Sequence, residues 1–375
     1  MSTALPLHLF AQHRAPTRVA LDPTGARLAL SEPGRGMRVV DRDGADIVAH
    51  PGPHPEHCAW LDEHLVTLST EGLAARLTVY AVPDGGALFT ADLGLHESSV
   101  MVPLGPRRLD VWVGARHAAR PGHAQFVGRS LTLARDGSLG VDALTAPESV
   151  CIPALHPDGH RLARLTREAG LTLHLDGAPY ETRVPIADAR PENAVYTLAW
   201  SDPDTLIVCE TLEDLSADAL TLWRVSLARG TVTRDHAFEG PPGLLVAHQF
   251  SPGNGHLATL HEALDTGAYL LQLTDLSGES RPRIWSPDTS GSGCALGWLD
   301  SARLFTLAAW DDGHSDTASL SRFGLDGGPP TTVNLALPAV GAEPRVVACA
   351  AHRLVLAFDT PIAQLGLTPP LDALG

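Results

Sequence analysis

Lysine is absent from the 375-residue sequence, so all 27 basic residues are arginine. Schiff-base chemistry and lysine nucleophiles are therefore excluded. The arginines are outnumbered by 43 aspartate and glutamate residues, which gives a net charge of −16. A nucleic-acid-binding surface needs basic patches that neutralise phosphates. The charge balance thus argues against nucleic acid as a partner and favours a cationic one.

Long apolar stretches are also missing. The sequence has no run of about 18 apolar residues, so we expect no membrane-spanning helix. The first residues lack the basic start and apolar core of a secretory signal, and we expect a cytoplasmic protein. The five cysteines form no Cys-x-x-Cys pair, which predicts buried free thiols rather than a redox motif.

The common catalytic motifs are absent as well. The sequence contains no Gly-x-Ser-x-Gly nucleophile elbow, no phosphate-binding Gly-x-x-x-x-Gly-Lys-Ser/Thr loop and no His-Glu-x-x-His helix. Enzymes that depend on these motifs are therefore excluded, and we expect a protein without catalysis of its own.

A strand–turn–strand unit recurs along the whole chain. It is clearest in VALDPTGARLAL at residues 19–30, where an apolar strand meets a turn with proline at its entry and glycine at its close. Seven further copies follow at roughly 40 to 50 residue spacing, which is typical of propeller blades. They begin at Cys58, Val102, Pro153, Leu198, His248, Leu296 and Val347.

A second hairpin follows each copy, and its last example, from Ala363, has no strand after it. A spare strand at residues 5–13 precedes the first hairpin. We therefore predict an all-β, eight-bladed propeller, a single domain over residues 1–375, in which the N-terminal strand completes the last blade and removes an exposed edge. The third unit fits the repeat worst and carries a predicted inserted loop at residues 114–129. If this unit is an insertion rather than a blade, the propeller has seven blades.

The repeats resemble those of a known family over the whole chain, most clearly in two hairpins. The stretches LDPTGARLA at residues 21–29 and LHPDGHRLA at residues 155–163 resemble the WD40-like repeat of TolB-type bacterial propellers. The resemblance implies a bacterial β-propeller. It also implies that loops joining the second and third strands of each blade share a face with the loops that join consecutive blades.

An acidic residue follows the second strand in seven of the eight units. The seven acids are Glu32, Glu71, Glu168, Glu210, Glu262, Asp311 and Asp359. The third unit instead has the inserted loop, with Arg116 and Arg120. We interpret the pattern as an acidic face that binds a basic protein patch, with one basic loop beside it. The alternative is that the acids reflect repeat ancestry in loops that are simply polar.

Three function classes follow from these patterns. The favoured one is a non-catalytic interaction scaffold or sensor subunit, monomeric by itself and without a cofactor. The second is a metal-dependent hydrolase or lactonase-like propeller, because imidazole and carboxylate groups that suit a divalent ion occur on neighbouring units, at His261, Glu262, Asp311 and His314. The third is a binder of a small ligand in the central channel.

Overall fold

The computed structural model describes residues 4, 6–10, 18–32, 36–50, 54–116, 122–167, 170–177, 182–186, 194–212, 220–235, 243–278, 280–287, 294–309, 315–339, 342, 344–358 and 364–371. These ranges contain β-strands and turns but no α-helix. No helix with the length and hydropathy needed to cross a bilayer is present in this part of the chain.

The strands form four-stranded sheets, here called blades and numbered along the chain. Blade 1 contains β2 (Arg18–Leu21), β3 (Arg27–Glu32), β4 (Gly36–Asp41) and β5 (Asp46–His50). Blade 2 contains β6 (Pro55–Leu61), β7 (His64–Glu71), β8 (Ala74–Ala81) and β9 (Ala87–Leu95). Blade 3 contains β10 (Ser98–Pro103), β11 (Arg108–Arg116), β12 (Ala124–Leu133) and β13 (Leu139–Ser149). Blade 4 contains β14 (Ala154–Leu155), β15 (Leu162–Arg167), β16 (Leu171–Asp176) and β17 (Thr182–Ile186).

The second half of the chain repeats this arrangement. Blade 5 contains β18 (Ala194–Asp202), β19 (Thr205–Leu212), β20 (Leu220–Ser226) and β21 (Thr231–Asp235). Blade 6 contains β22 (Gly243–Phe250), β23 (His256–Ala263), β24 (Tyr269–Asp275) and β25 (Arg283–Trp285). Blade 7 contains β26 (Cys294–Trp298), β27 (Arg303–Ala309), β28 (Thr317–Gly324) and β29 (Thr331–Ala336). Blade 8 contains β30 (Pro344–Ala350), β31 (Arg353–Phe358), β32 (Gln364–Leu367) and the N-terminal β1 (His8–Phe10).

Blade 8 closes the ring with both ends of the chain. Its strand order is β1-β32-β31-β30, whereas the other seven blades follow chain order. β1 pairs with β32 in the register His8↔Leu367, Leu9↔Gly366 and Phe10↔Leu365. The eight-bladed propeller with N-terminal closure is therefore confirmed. The seven-bladed alternative is wrong, because the third unit forms a complete sheet, β10-β11-β12-β13.

The hydrophobic core is divided among the contacts between blades. Each of eight buried clusters combines residues of two neighbouring blades, and together they cover every contact around the ring, including blade 8 with blade 1. On β3, Leu28 and Leu30 pack towards blade 8, while Ala29 packs towards blade 2. Successive strand residues point to opposite sides of a sheet, so each blade is apolar on both sides.

The topology gives the propeller two different faces. Because the four strands of a blade alternate in direction, the turns between first and second strands and between third and fourth strands lie on one face, here called the turn face. The loops between second and third strands and those between consecutive blades lie on the other, here called the connection face. The first strands of neighbouring blades contact one another around the central channel, for example β2 with β6 and β30.

The prediction of an inserted loop at residues 114–129 is wrong at both ends. β11 continues through Arg116, and β12 begins at Ala124. Gly114 and Phe126 are cross-strand partners, and Phe126 is buried with Trp112. The described residues of this segment therefore extend the hairpin of β11 and β12. The extension is held in place because Phe126 packs between blades 3 and 4.

Tryptophan side chains link neighbouring blades near the turn face. The indole Nε1 of Trp60 donates a hydrogen bond to the carbonyl of Ala20 in the preceding blade, at 3.0 Å. Trp200 donates in the same way to Ala154, at 3.2 Å, and Trp298 to Gln249, at 3.3 Å. These tryptophans therefore serve packing between blades.

The Trp60→Phe variant is expected to lower the free energy of unfolding by about 1–2 kcal/mol. It keeps the aromatic packing but removes the donor to the Ala20 carbonyl. Urea denaturation measures the loss. Trp285→Phe is the matched control, since Trp285 lies on the outer strand β25, and it is expected to cost less than the Trp60 change. Equal losses would show that the hydrogen bond between blades contributes nothing.

Candidate functional site

The predicted acidic residues can be placed only in part. Glu71 ends β7 on the connection face and is exposed. Glu262 lies near the end of β23 on the same face and is half-buried. The side chain of Glu32 and the residues Glu168, Asp311, Asp359, Arg120 and His314 lie outside the described residues.

Glu210 does not belong to an exposed acidic ring. It lies inside β19, is 2% exposed and accepts a hydrogen bond from the hydroxyl of Tyr196 at 2.9 Å. Burial raises the pKa of Tyr196, and the hydrogen bond to Glu210 and its negative charge raise it further. The prediction that Glu210 contacts a partner conflicts with this placement. Its side chain points between blades 4 and 5, where it links β18 to β19.

The predicted basic segment contacts the protein's own acidic residues. Glu97 Oε2 accepts a hydrogen bond from the Arg116 backbone N–H at 3.0 Å. The Arg116 Nε lies 3.4 Å from the same oxygen. The described contacts of Arg116 are therefore internal to the protein. The pair is exposed, so it contributes little to stability.

Glu56 connects blades 2 and 3 on the connection face. Its Oε1 accepts a hydrogen bond from Thr70 at 2.8 Å, and its Oε2 accepts one from Ser99 at 3.2 Å. His96 Nε2 lies 3.0 Å from Oε2. Burial raises the pKa of Glu56, but the Thr70 hydrogen bond, the charge of His96 and the Ser99 hydrogen bond together hold it below its ordinary value. Glu56 thus already has polar partners within the protein.

Glu262 has different surroundings. Its cross-strand partners are Leu244 on β22 and Tyr269 on β24, so all three side chains share one side of blade 6. Leu244 is 37% exposed, and Leu264, just beyond the strand, is 66% exposed. Among the described residues, no basic side chain pairs with Glu262. We call Leu244, Glu262, Leu264 and Tyr269 the blade-6 patch.

The blade-6 patch combines a carboxylate with exposed apolar surface. Sequence reasoning identified Glu262 but missed the two leucines. The available signal was Leu264, an apolar residue in the loop after the second strand, two residues beyond the acid. Exposed apolar groups next to a polar group mark binding surfaces more often than isolated charges do.

The proposed metal ligands do not converge where the structure describes them. His261 and Glu262 are consecutive on β23, so their side chains point to opposite sides of blade 6. His261 is 1% exposed and faces blade 5, as its partner Leu245 does. Within the described ranges, no group of three or more histidine, cysteine, aspartate and glutamate residues is placed to hold a metal ion. Because Asp311 and His314 lie outside these ranges, the four-residue metal site stays a prediction.

His261 makes the stability of the fold dependent on pH. Burial lowers the pKa of His261 to about 4, from 6.5. Between these values the unfolded chain takes up a proton that the folded chain does not, so stability falls as the pH is lowered from about 6.5 to about 4. The contribution is on the order of 3 kcal/mol. We expect His261→Gln to lose less stability over this window than the wild type, measured by urea denaturation.

An exposed histidine provides the control for this pH effect. His160 lies in a turn on the turn face and is exposed, so His160→Gln is expected to leave the pH profile of the wild type unchanged. A His261→Gln profile as steep as that of the wild type would contradict the assignment.

Comparison with known proteins identifies the fold. No family model matches the sequence, and no curated protein matches it. The WD40 domain of SCAP from fission yeast aligns with a TM-score of 0.53 at 12% identity, over 96% of this chain and 96% of that chain. Sqt1 from Chaetomium thermophilum aligns with a TM-score of 0.52 at 16% identity, over 98% of both chains. The Dos1 propeller aligns with a TM-score of 0.52 at 12% identity, over 96% of this chain and 95% of that chain.

At these identities the similarity concerns the fold alone. The resemblance to WD40-like propellers is confirmed at that level, whereas the assignment to TolB-type bacterial propellers stays a prediction. The chain has the fold of a WD40 β-propeller, here with eight blades.

Proposed function

We propose that this protein is a non-catalytic, cytoplasmic interaction scaffold or sensor subunit. It binds a protein segment on its connection face, and the blade-6 patch is the centre of the contact. The bound segment carries an arginine or lysine next to apolar side chains. WD40 propellers of known structure share the fold, and the surface of blade 6 supports the choice of face and partner.

The observation that carries this proposal is the environment of Glu262. The carboxylate is half-buried between the cross-strand neighbours Leu244 and Tyr269, without a basic partner among the described residues. The carboxylate is partly exposed, so a cation supplied by a partner can reach it and pair with it. Guanidinium groups suit this role because they pair with carboxylates in a bidentate way.

The two exposed leucines define the rest of the contact. Leu244 lies opposite Glu262 on the neighbouring strand, and Leu264 follows it by two residues. Removing their exposed surface from water stabilises a complex by about 25 cal/mol per Å².

The other described acids of the connection face differ, because Glu56, Glu97 and Glu210 already have internal partners. Glu71 also lies next to an exposed leucine, Leu73, but its charge interacts with that of Arg76. Among the described residues, the blade-6 patch thus combines exposed apolar surface with a carboxylate that has no basic neighbour.

A peptide titration tests the proposal. The probe is a fluorescent 12-residue peptide with a central arginine flanked by leucines, and the comparison probe has glutamate in place of arginine. We expect the arginine peptide to bind the wild type, more weakly as salt rises. Glu262→Gln should weaken this binding about five- to tenfold, equivalent to about 1–1.4 kcal/mol. Fluorescence anisotropy measures both affinities.

Glu71→Gln is the matched control. It removes the same charge at the equivalent position of the repeat, four blades away from Glu262. A local contact predicts less than a twofold effect of this change. Equal weakening by both substitutions would instead favour the diffuse acidic face expected from the sequence. If the glutamate peptide bound as tightly as the arginine peptide, both the local contact and the diffuse acidic face would be rejected.

A further inference from the structure

A cleft opens on the turn face where blade 8 meets blade 1. Its volume is about 530 Å³, a size typical of sites for small molecules. Leu7 and His8 line it from the N-terminal segment, Arg42 and Asp43 from the turn between β4 and β5, and Arg353 from the first turn of blade 8. We call this the seam cleft, because it lies where the two ends of the chain close the ring.

Arg353 differs from the arginines at equivalent turns. In blades 1, 4 and 7 the turn between first and second strands contains an aspartate that pairs with the turn arginine. The pairs are Asp22–Arg27 at 3.0 Å, Asp158–Arg161 at 2.9 Å and Asp300–Arg303 at 2.7 Å. Blade 8 reads Ala350-Ala351-His352-Arg353 at this turn and has no acid.

The guanidinium of Arg353 consequently lacks a carboxylate partner in the described structure. Its Nη1 donates a hydrogen bond to the carbonyl of Thr368, at 3.1 Å, which fixes the side chain at the cleft without neutralising it. A positioned guanidinium with free donors is ready to bind an oxyanion, since each guanidinium has five N–H donors.

Arg42 adds a second guanidinium to the same cleft. It stands in the turn Asp41-Arg42-Asp43-Gly44, where Asp41 accepts backbone N–H groups of Asp43 and Ala45 at 2.9 and 2.8 Å. Among the described residues, Arg42 has no hydrogen bond or ion pair of its own. The cleft therefore contains two arginines and one aspartate, a positive site on a protein whose net charge is −16.

We propose that the seam cleft binds a small organic oxyanion, a carboxylate or phosphate group carried on an apolar body. Arg353 and Arg42 bind the anionic group, and Leu7 with the neighbouring prolines Pro6, Pro369 and Pro370 contacts the apolar part. The site is separate from the blade-6 patch, which lies on the opposite face. A ligand there contacts both the N-terminal segment and blade 1, so its binding stabilises the closed ring.

Calorimetric titration with small aromatic probes tests this inference. Benzoate and phenyl phosphate are the anionic probes, and benzamide is the neutral control. We expect at least one anion to bind saturably to the wild type and to raise its melting temperature, whereas benzamide does neither. Tighter binding of phenyl phosphate identifies phosphate as the preferred group, and tighter binding of benzoate identifies carboxylate.

Substitutions assign the binding to the cleft. Arg42→Gln is expected to lower the affinity for the anion at least threefold. The double variant Arg42→Gln with Arg353→Gln is expected to lower it at least tenfold. Arg135→Gln is the matched control, because Arg135 occupies an equivalent Arg-Asp-Gly turn in blade 3, away from the cleft. Arg42 is exposed and its loss leaves the fold intact, so the test does not depend on the double variant.

Three results would overturn the inference. They are no binding of either anion to the wild type, binding of benzamide as tight as that of the anions, and an affinity that Arg42→Gln leaves unchanged or that Arg135→Gln weakens equally.

Discussion

Deletion of residues 1–10 is expected to lower the free energy of unfolding by several kcal/mol and to make the protein prone to aggregation. The deletion removes β1 and its three residue pairs with β32. It also removes Leu7, which packs against the buried cluster between blades 7 and 8. Burial of one such side chain contributes about 1.5–3 kcal/mol, and the lost strand exposes the edge of β32.

Urea denaturation and gel filtration measure these effects. Deletion of residues 1–4 is the control, because it leaves every β1–β32 pair in place, and it is expected to behave as the wild type. If the longer deletion unfolds at the same urea concentration as the wild type, the N-terminal strand does not close the ring in solution.

Asp22→Ala is expected to cost about 3–4 kcal/mol of unfolding free energy. The carboxylate is fully buried and organises the first turn of blade 1. Its Oδ1 accepts the backbone N–H groups of Ala26 and Arg27 at 2.8 and 2.9 Å. Its Oδ2 accepts hydrogen bonds from the Thr24 hydroxyl at 2.7 Å and from the Arg27 Nε at 3.0 Å. Alanine removes the acceptor of these four hydrogen bonds, each of which contributes about 1 kcal/mol.

Asp22→Asn separates the hydrogen bonds from the charge. Asparagine retains one oxygen for the two backbone donors but loses the ion pair with Arg27, which also lies 4.9 Å from the Trp60 ring centre. We expect a loss about half that of the alanine variant, measured by urea denaturation. A loss below about 1 kcal/mol for Asp22→Ala would contradict the role of this carboxylate as the organiser of the turn.

The sequence predicted the architecture because its local signals recur. Turns such as Asp22-Pro23-Thr24-Gly25 need a glycine, and Gly25 has a φ of +71°, which residues with a Cβ rarely adopt. Eight repeats of such hairpins determine the blade count, and the spare N-terminal strand determines the closure. The loop predicted in blade 3 was too long, because the polar residues of this segment do not show the alternating apolar pattern of a strand. The strands nevertheless continue into it and pair Gly114 with Phe126.

The candidate site could be predicted only in part, for a geometric reason. An acid near the end of a second strand points to one side of the blade or the other according to its register, and a shift of one residue reverses the side. Glu210 points into the contact with blade 4, whereas Glu262 lies beside exposed leucines. The pairing of Glu262 with Leu244 comes next to a register shift between Leu245 and Ala247, which no sequence pattern indicates.

Photo-crosslinking in cells tests the central claim, that partners bind the connection face at blade 6. A benzophenone amino acid replaces Leu264 on that face or, as the matched control, Leu104, which is 40% exposed in a turn on the turn face. We expect a crosslinked protein from position 264 that is lost when Glu262→Gln is added, and none from position 104. Crosslinking from position 104 alone, or crosslinking at 264 that Glu262→Gln leaves unchanged, would contradict it.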